Sequence, residues 1–405
     1  MGQSADVVVI GGGIVGAATS YFLAQQGLRV MLVEGHELAY GATGRNLGFI
    51  WMHTRKAGPE LDLVMPTRRG LEDLPEELGA DFDLQCNGGL IFFNDERQIP
   101  VMREFVAERN AVGIPMSLLS AAEARELVPV LPESVLGATY CPQDAQVDPT
   151  AFVRAYAGAA ARLGAEVREG TLVRSLVREN GRVTGVVTDG GTINAGHVVL
   201  AAGGWTPELA VSAGIELPIH PMRLQIVQTK PMPKRVEHCV YGATAAKQYG
   251  VFQDLPSFDD SHFMNEVEWK YDMLLLESFC QKADGSYLLG CAMDYPGFVW
   301  EPDLRGVSLI DDVLMEHIPE FRRAGFDRAW AGILPFTVDN LPIIDRAPGV
   351  DGLIVAAGHV FGNGAGPTTG QLVASLITGS EPPISLDPFR AGRSGLQVVV
   401  EQSTW

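Results

Sequence analysis

Gly11, Gly13 and Gly16 stand in the spacing G-x-G-x-x-G between the β-branched run Val7 to Ile10 and an Ala-rich stretch, and Glu34 closes the next apolar run, Val30 to Val33. Strand, glycine turn, helix and second strand in that order make a βαβ unit with the turn where a dinucleotide needs it. Gly11 permits the tight turn, Gly13 lets the backbone approach a pyrophosphate, and Gly16 lets the helix pack closely on the strand. The anion then meets unpaired N–H groups at the helix start, around Ile14 and Val15. Glu34, followed by Gly35, can accept hydrogen bonds from both hydroxyls of an adenosine ribose, whereas a 2′-phosphate there is repelled. The chemistry expected of these residues is dinucleotide binding, with NADP disfavoured.

The chain has room for the elements that must hold this turn. Its 405 residues, 46% hydrophobic and 20% charged, suit a globular protein of two domains with a large core. A net charge of −19 opposes nucleic acid and anionic membrane surfaces as partners. No apolar run reaches the length of about 18 residues that a membrane span needs. The N-terminus shows neither a basic leader nor a cleavage site, and the cysteines at 86, 141, 239, 280 and 291 form no C-x-x-C and no metal-like spacing. Reduced, packed thiols, a cytoplasmic location and no metal are the expectation.

Two further stretches carry buried-strand character. In 146–205, Asp148 and Pro149 open an amphipathic helix that Gly164 ends; short alternating strands follow around the turns ENGR and DGGT, and HVVLAAGGW is a buried strand entering a small-residue turn. In 352–379 an apolar strand runs into the loop GHVFGNGAGPTTG and a helix. Three separated pieces of one sheet imply a domain built discontinuously from 1–83, 145–217 and 330–381. Residues 84–144 and 218–329, with GGLIFF, RLQIVQTK and YDMLLLESFCQ, read as the second domain, and 382–405 as a C-terminal tail. The expected fold class is α/β: a Rossmann-like dinucleotide-binding domain plus a largely antiparallel β-sheet substrate domain with helices.

Taken together, VVVIGGGIVGAATSYFLAQQG with Glu34, GATGRNLGFI, VDPTAFVRAYAGAAARLGAEV, VVLAAGGW, WAGILPFTVDNLPIID and GLIVAAGHVFGNGAGPTTGQLVASLI resemble the D-amino-acid oxidase (DAO) superfamily of FAD-dependent oxidoreductases, the group of glycine oxidase, sarcosine oxidase and D-amino-acid dehydrogenases. The resemblance spans nearly the whole chain and implies FAD, since a NAD-dependent dehydrogenase needs only the first motif. By it, Ala42, Thr43, Arg45, Asn46, Leu47 and Gly48 run beneath the flavin or touch the pyrophosphate. Val173 pairs its backbone with the adenine edge, and Ala202, Gly203 and Trp205 lie beside the pyrophosphate. Gly332, Leu334 and Gly358 belong to the same cofactor set. Pro367 begins a helix whose free N–H groups, over Gly362, Asn363, Gly364, Ala365 and Gly366, would face the flavin N1–C2=O edge and stabilise negative charge arriving there.

The chain also departs from the family pattern. Several members tether FAD through a cysteine in the segment matching WAGILPFT; Ile333 and Leu334 stand there, so FAD is expected to be noncovalent. Glycine-oxidase-like members carry an arginine in this segment that clamps the substrate carboxylate, and Leu334 occupies its place. The substitute by motif is Arg223 in HPMRLQIVQTK, read either as a carboxylate ligand or as a solvated or interdomain residue at a strand start. His53 follows the flavin loop and is either a site histidine or a satisfied core residue; His359, at the end of a strand beside the flavin helix, is the preferred active-site histidine. Leu288 takes the position of the oxygen-activating lysine of sarcosine-oxidase-like members. Residues 235–272 read as a lid, or else as a surface excursion or subunit contact, with Tyr249, Tyr271 and Tyr295 as candidate polar tips.

The activity implied is oxidation of the C–N bond of an amino acid or N-substituted glycine by hydride transfer to flavin N5, the imine then hydrolysing. The partner is a small amine or amino acid. Three matters stay open: C–O oxidation of a hydroxy acid on the same fold, a flavoprotein subunit of a hetero-oligomeric amine- or opine-oxidising complex, and whether oxygen is the acceptor. A homo-oligomer is a further possibility.

Overall fold

The computed structural model describes residues 3–264 and 266–396; residues 397–405 of the expected tail lie outside the described part. β1 (Gln3–Ile10) is the centre of the first sheet, with Val7, Val8 and Val9 fully buried. It pairs in parallel with Gly191–Leu200 on one side and with β2 (Val30–Val33) on the other. A strand covered on both faces cannot alternate apolar with polar, which is why VVVI and VMLV read as continuous apolar runs. The sheet order is Ile343–Arg346, Leu353–Ala357, Gly191–Leu200, β1, β2, Glu166–Arg168, with the hairpin Val173–Glu179 and Arg182–Thr188 branching from Gly191–Leu200.

Helix α1 (Ile14–Gln25) packs between two long helices, Pro149–Arg162 and the closing helix Gly362–Thr378. Asp148 caps the first of these by accepting from Ala151 N–H at 2.9 Å, ahead of Pro149 at the first position. Against the closing helix the approach is closer. A Cβ on Gly370 would lie 2.7 Å from the backbone of Ala18, and one on Gly366 would lie 2.9 Å from the Ile14 side chain.

The second sheet runs Phe326–Phe336, His220–Thr229, Tyr287–Asp294, Leu274–Gln281, Cys239–Gly242, Gly89–Phe93, Gly137–Cys141, Ser117–Ser120, antiparallel throughout except between Cys239–Gly242 and Gly89–Phe93. Its two faces separate with period two. Leu90 and Phe92 join Leu275, Leu289 and Val313 beneath the helix Leu304–His317. Ile91 and Phe93 join the core that contains Val7, Val9 and Ile14. One boundary needs correction: Phe326–Phe336 pairs along its length with His220–Thr229, so the third segment of the first domain begins beyond this strand and not at 330. The described part of the tail is tied down, with Arg393 paired to Asp339 at 2.7 Å and Arg390 to Asp345 at 3.3 Å.

Candidate active site

A cavity of about 560 Å³ opens at the carboxyl ends of β1 and β2 and runs from the glycine turn, past the turn Ala42–Arg45, to the start of the closing helix. Open parallel sheets bind their ligands at this end. Gly11 takes φ +109°, and a Cβ there would lie 2.4 Å from Ala201 O. Helix α1 begins after Gly13 with no cap from that residue; Ile14 N–H donates to Thr43 Oγ1 at 3.3 Å, and the N–H of Val15 behind it stays available. Glu34 is held at the tip of β2, Oε2 accepting from Gly12 N–H at 2.7 Å and Oε1 from His36 N–H at 2.9 Å. Each oxygen keeps a lone pair for a hydroxyl.

Of the residues expected to hold the cofactor, Gly11, Gly13, Ile14, Val15, Glu34, Gly35, Ala42, Thr43, Asn46, Leu47, Val173, Ala202, Gly203, Trp205, Leu334, Gly358, Gly362, Asn363 and Gly364 lie in the cavity wall. Gly16, Arg45, Gly48, Gly332, Ala365 and Gly366 do not, and packing explains their types. A Cβ on Gly16 would lie 1.9 Å from Gly11 O, and one on Gly48 2.1 Å from Val147 O. Gly332 makes room for the stem of Arg45, whose head donates to Tyr40 O (2.9 Å) and Ala331 O (3.2 Å) beneath the Tyr40 and Trp300 rings. Ala365 is in the core, and Gly366 faces Ile14. The electropositive helix start is likewise narrower than expected. Gly364 and Ala365 already donate to Phe361 O at 3.2 and 3.1 Å, which leaves Gly362 and Asn363 as its open amides.

The expected catalytic residues divide. Tyr249 and His359 line the cavity; Arg223 and His53 do not. Arg223 forks onto Asp294 at 2.8 and 2.5 Å and donates to Glu301 O at 2.8 Å, while its neighbour Leu224 takes the cavity side of the strand. Its guanidinium is taken up by Asp294 and Glu301 within the second domain, and its side chain does not line the cavity. His53 is wholly buried, with Nδ1 on Asp144 Oδ2 (2.9 Å) and Nε2 on Thr139 Oγ1 (2.7 Å). Cys141 completes a buried group of three potential metal ligands. Both His53 nitrogens are engaged, however, and burial pushes the Cys141 thiol up, away from the thiolate a metal requires.

His359 is buried, and desolvation holds its imidazole down to about 3. The Thr369 hydroxyl donates to Ala365 O (2.9 Å), so it must accept from His359 Nε2 (2.9 Å), fixing the neutral tautomer with Nδ1 unprotonated. His359 is therefore a polar wall residue and a weak base. Among the expected tips, Tyr271 instead bonds Asp312 at 2.7 Å on the surface, and Tyr295 is absent from the wall. Leu288 lines a separate cavity of about 150 Å³ behind Asn46 and Leu47.

Several wall residues escaped the sequence reading. Tyr241 stands beside Trp51, ring centroids 4.4 Å apart, and burial pushes both its hydroxyl and that of Tyr249 up. Arg55 is 5% exposed with its guanidinium 4.4 Å from the Phe361 ring centroid. Only its place two residues past His53 hinted at it. Trp51 Nε1, Arg55 Nε and Asn363 Oδ1 are buried without a hydrogen-bond partner. A wall with a fixed ribose-type acceptor at one end, open amides at the other and unspent polar atoms between them fits an extended dinucleotide.

Comparison with known proteins agrees with this geometry. Residues 6–378 match the model of the DAO family, FAD dependent oxidoreductase, and the chain belongs to that family. It is an enzyme, and its cofactor is FAD. Among particular relatives, glycine oxidase of Geobacillus kaustophilus is 28% identical over 406 residues, 98% of this chain and 99% of the relative. A crystal structure of glycine oxidase from Geobacillus kaustophilus aligns with TM-score 0.83 and 27% identity over 96% of this chain and 99% of that one. Hydrogen cyanide synthase subunit HcnC of Pseudomonas aeruginosa is 25% identical over 438 residues, 97% of each chain.

Proposed function

We propose that the enzyme oxidises the C–N bond of an amino acid or N-substituted glycine to an imine, which water then hydrolyses to a carbonyl compound and the free amine. FAD, held noncovalently, supplies the two-electron acceptor. The observation that carries the choice of C–N over C–O is the lack of a competent base at the flavin end of the wall, among the described residues. His359 is held down to about 3 and both tyrosine hydroxyls are pushed up. A hydroxy acid must lose its O–H proton as electrons leave, which calls for a positioned base. An amine already deprotonated has its lone pair ready, and the apolar wall of Trp51, Leu224, Tyr241, Leu276 and Phe361 favours that neutral form. The name of one relative, glycine oxidase, supports an amino-acid substrate.

Anaerobic mixing with D-amino acids, sarcosine, proline analogues and hydroxy acids tests the reading. Loss of the visible flavin absorbance with an amine substrate is expected; bleaching by hydroxy acids alone would overturn it. The match along 97% of HcnC favours a second reading, a subunit of a hetero-oligomeric amine-oxidising assembly, for which no bleaching by the isolated chain is the signature.

A further inference from the structure

We propose that the loop 295–303, which joins the strand Tyr287–Asp294 to the helix Leu304–His317, is a strap thrown by the second domain across the nucleotide end of the cavity, that Arg223 fastens it, and that it must lift for FAD to enter or leave. The inference rests on the cofactor and not on which bond the enzyme oxidises.

The two ends of the loop are gripped from one strand. Arg223, 4% exposed, forks onto Asp294 just before the loop, donates to Glu301 O (2.8 Å) near its far end, and has Asp303 at 3.6 Å. Two positions along, on the same face of that strand, Gln225 Oε1 accepts from Asp303 N–H at 2.6 Å. Asp303 then caps the helix by accepting from Arg305 N–H at 2.8 Å. Between these anchors the chain turns at Gly297, φ +83°, and presents Phe298 and Trp300 to the first domain.

The middle of the loop is seated on rings. Trp300 stacks on Trp205, centroids 5.0 Å apart and planes 15° apart, and Phe298 lies 6.2 Å from the same ring. A Cβ on Gly204 would stand 3.3 Å from Phe298, so the small residue there admits the loop. Trp300 also approaches Tyr40 at 6.1 Å, and Tyr40 stacks on His36 at 3.9 Å; the Arg45 guanidinium sits 5.1 Å from both the Tyr40 and the Trp300 ring centroids. His36 and Trp205 line the cavity, whereas Phe298 and Trp300 do not. His36 follows β2 and Trp205 follows Gly191–Leu200, the strands on either side of β1, so the row of rings joins the two lips that flank the glycine turn. Ring contacts part without stranding a buried hydrogen-bonding group, but parting Arg223 from Asp294 would leave buried charge uncompensated. The middle therefore lifts while the ends stay fixed, and this gives Arg223 its place as a positioning residue.

The test follows the flavin itself. FAD loss is measured on the loaded enzyme after dilution and FAD uptake on the stripped full-length chain, both by the change in flavin fluorescence. Losing the stack in Trp300→Ala should quicken loss and uptake by about threefold or more each. Trp300→Phe, which keeps a ring against Trp205, should fall between this variant and the unaltered enzyme. Arg223→Lys, which keeps the charge and loses the fork, should also quicken both. Trp269→Ala, at a tryptophan 75% exposed on the helix Glu266–Tyr271, should change neither. Three results would overturn the proposal: unchanged rates in Trp300→Ala, faster loss with unchanged or slower uptake, which would make Trp300 a support of the wall and no gate, or an equal change in Trp269→Ala. If Trp300→Ala cannot be loaded with FAD, Trp300→Phe decides by the same criteria.

Discussion

At the level of single residues, the site depends on which polar side chains the fold has already satisfied. Arg223 and His53 carry the functional groups expected of a substrate site, yet a bidentate carboxylate and a buried Asp144 occupy them. His359 reaches the wall but is neutral. Its ordinary value is 6.5 and its folded value about 3, so between these limits the unfolded chain binds the extra proton. Stability must then rise with pH across that window and be independent of this group above it, with a slope of at most about 1.4 kcal/mol per pH unit. Replacing His359 with Asn should flatten the acid limb of a stability-against-pH curve from denaturant titrations. An unchanged slope would show that other groups govern it.

Among elements, the closing helix is the one whose sequence serves two purposes. Its first residues, Gly362 and Asn363, present open amides to the cavity, whereas Gly366 and Gly370, a turn and two turns on, let it lie against α1. Gly370→Ala should therefore destabilise the protein although Ala is the better helix former. The Cβ would stand 2.7 Å from the Ala18 backbone, and overpacking of that kind costs about 1–3 kcal/mol. Because α1 also follows the glycine turn of the cavity wall, the variant should lose FAD on gel filtration as well. Thermal unfolding and the ratio of visible to ultraviolet absorbance measure the two effects. In sequence, Gly362 and Gly366 are the same letter in one glycine-rich run; which faces ligand and which faces helix follows only from the rotation of the helix against its neighbour.

For the molecule as a whole, the cavity is walled by both layers, with Gly11 and Glu34 on the first sheet and Leu224, Tyr241, Leu276 and Leu334 on the second. FAD should thus stabilise the entire fold. At a free concentration a hundredfold above its dissociation constant the gain is about 2.7 kcal/mol. Removing the flavin should lower the denaturation midpoint accordingly, and adding it back should restore it; an identical midpoint for both forms would mean the two layers hold together without it.

The chain's own residue order was enough to read the βαβ unit, Glu34 at the tip of β2, the discontinuous first sheet and the family. Those features are local: they depend on spacing over a few tens of residues, on continuous apolar runs and on glycines at fixed offsets. The substrate end was not legible in this way. Arg55, Tyr241 and Leu224 come from three distant segments, and their partners are set by strand register and by which face of a strand looks inward. A shift of one position exchanges Arg223 for Leu224 at the wall. Burial then decides charge state, leaving His359 neutral at the wall.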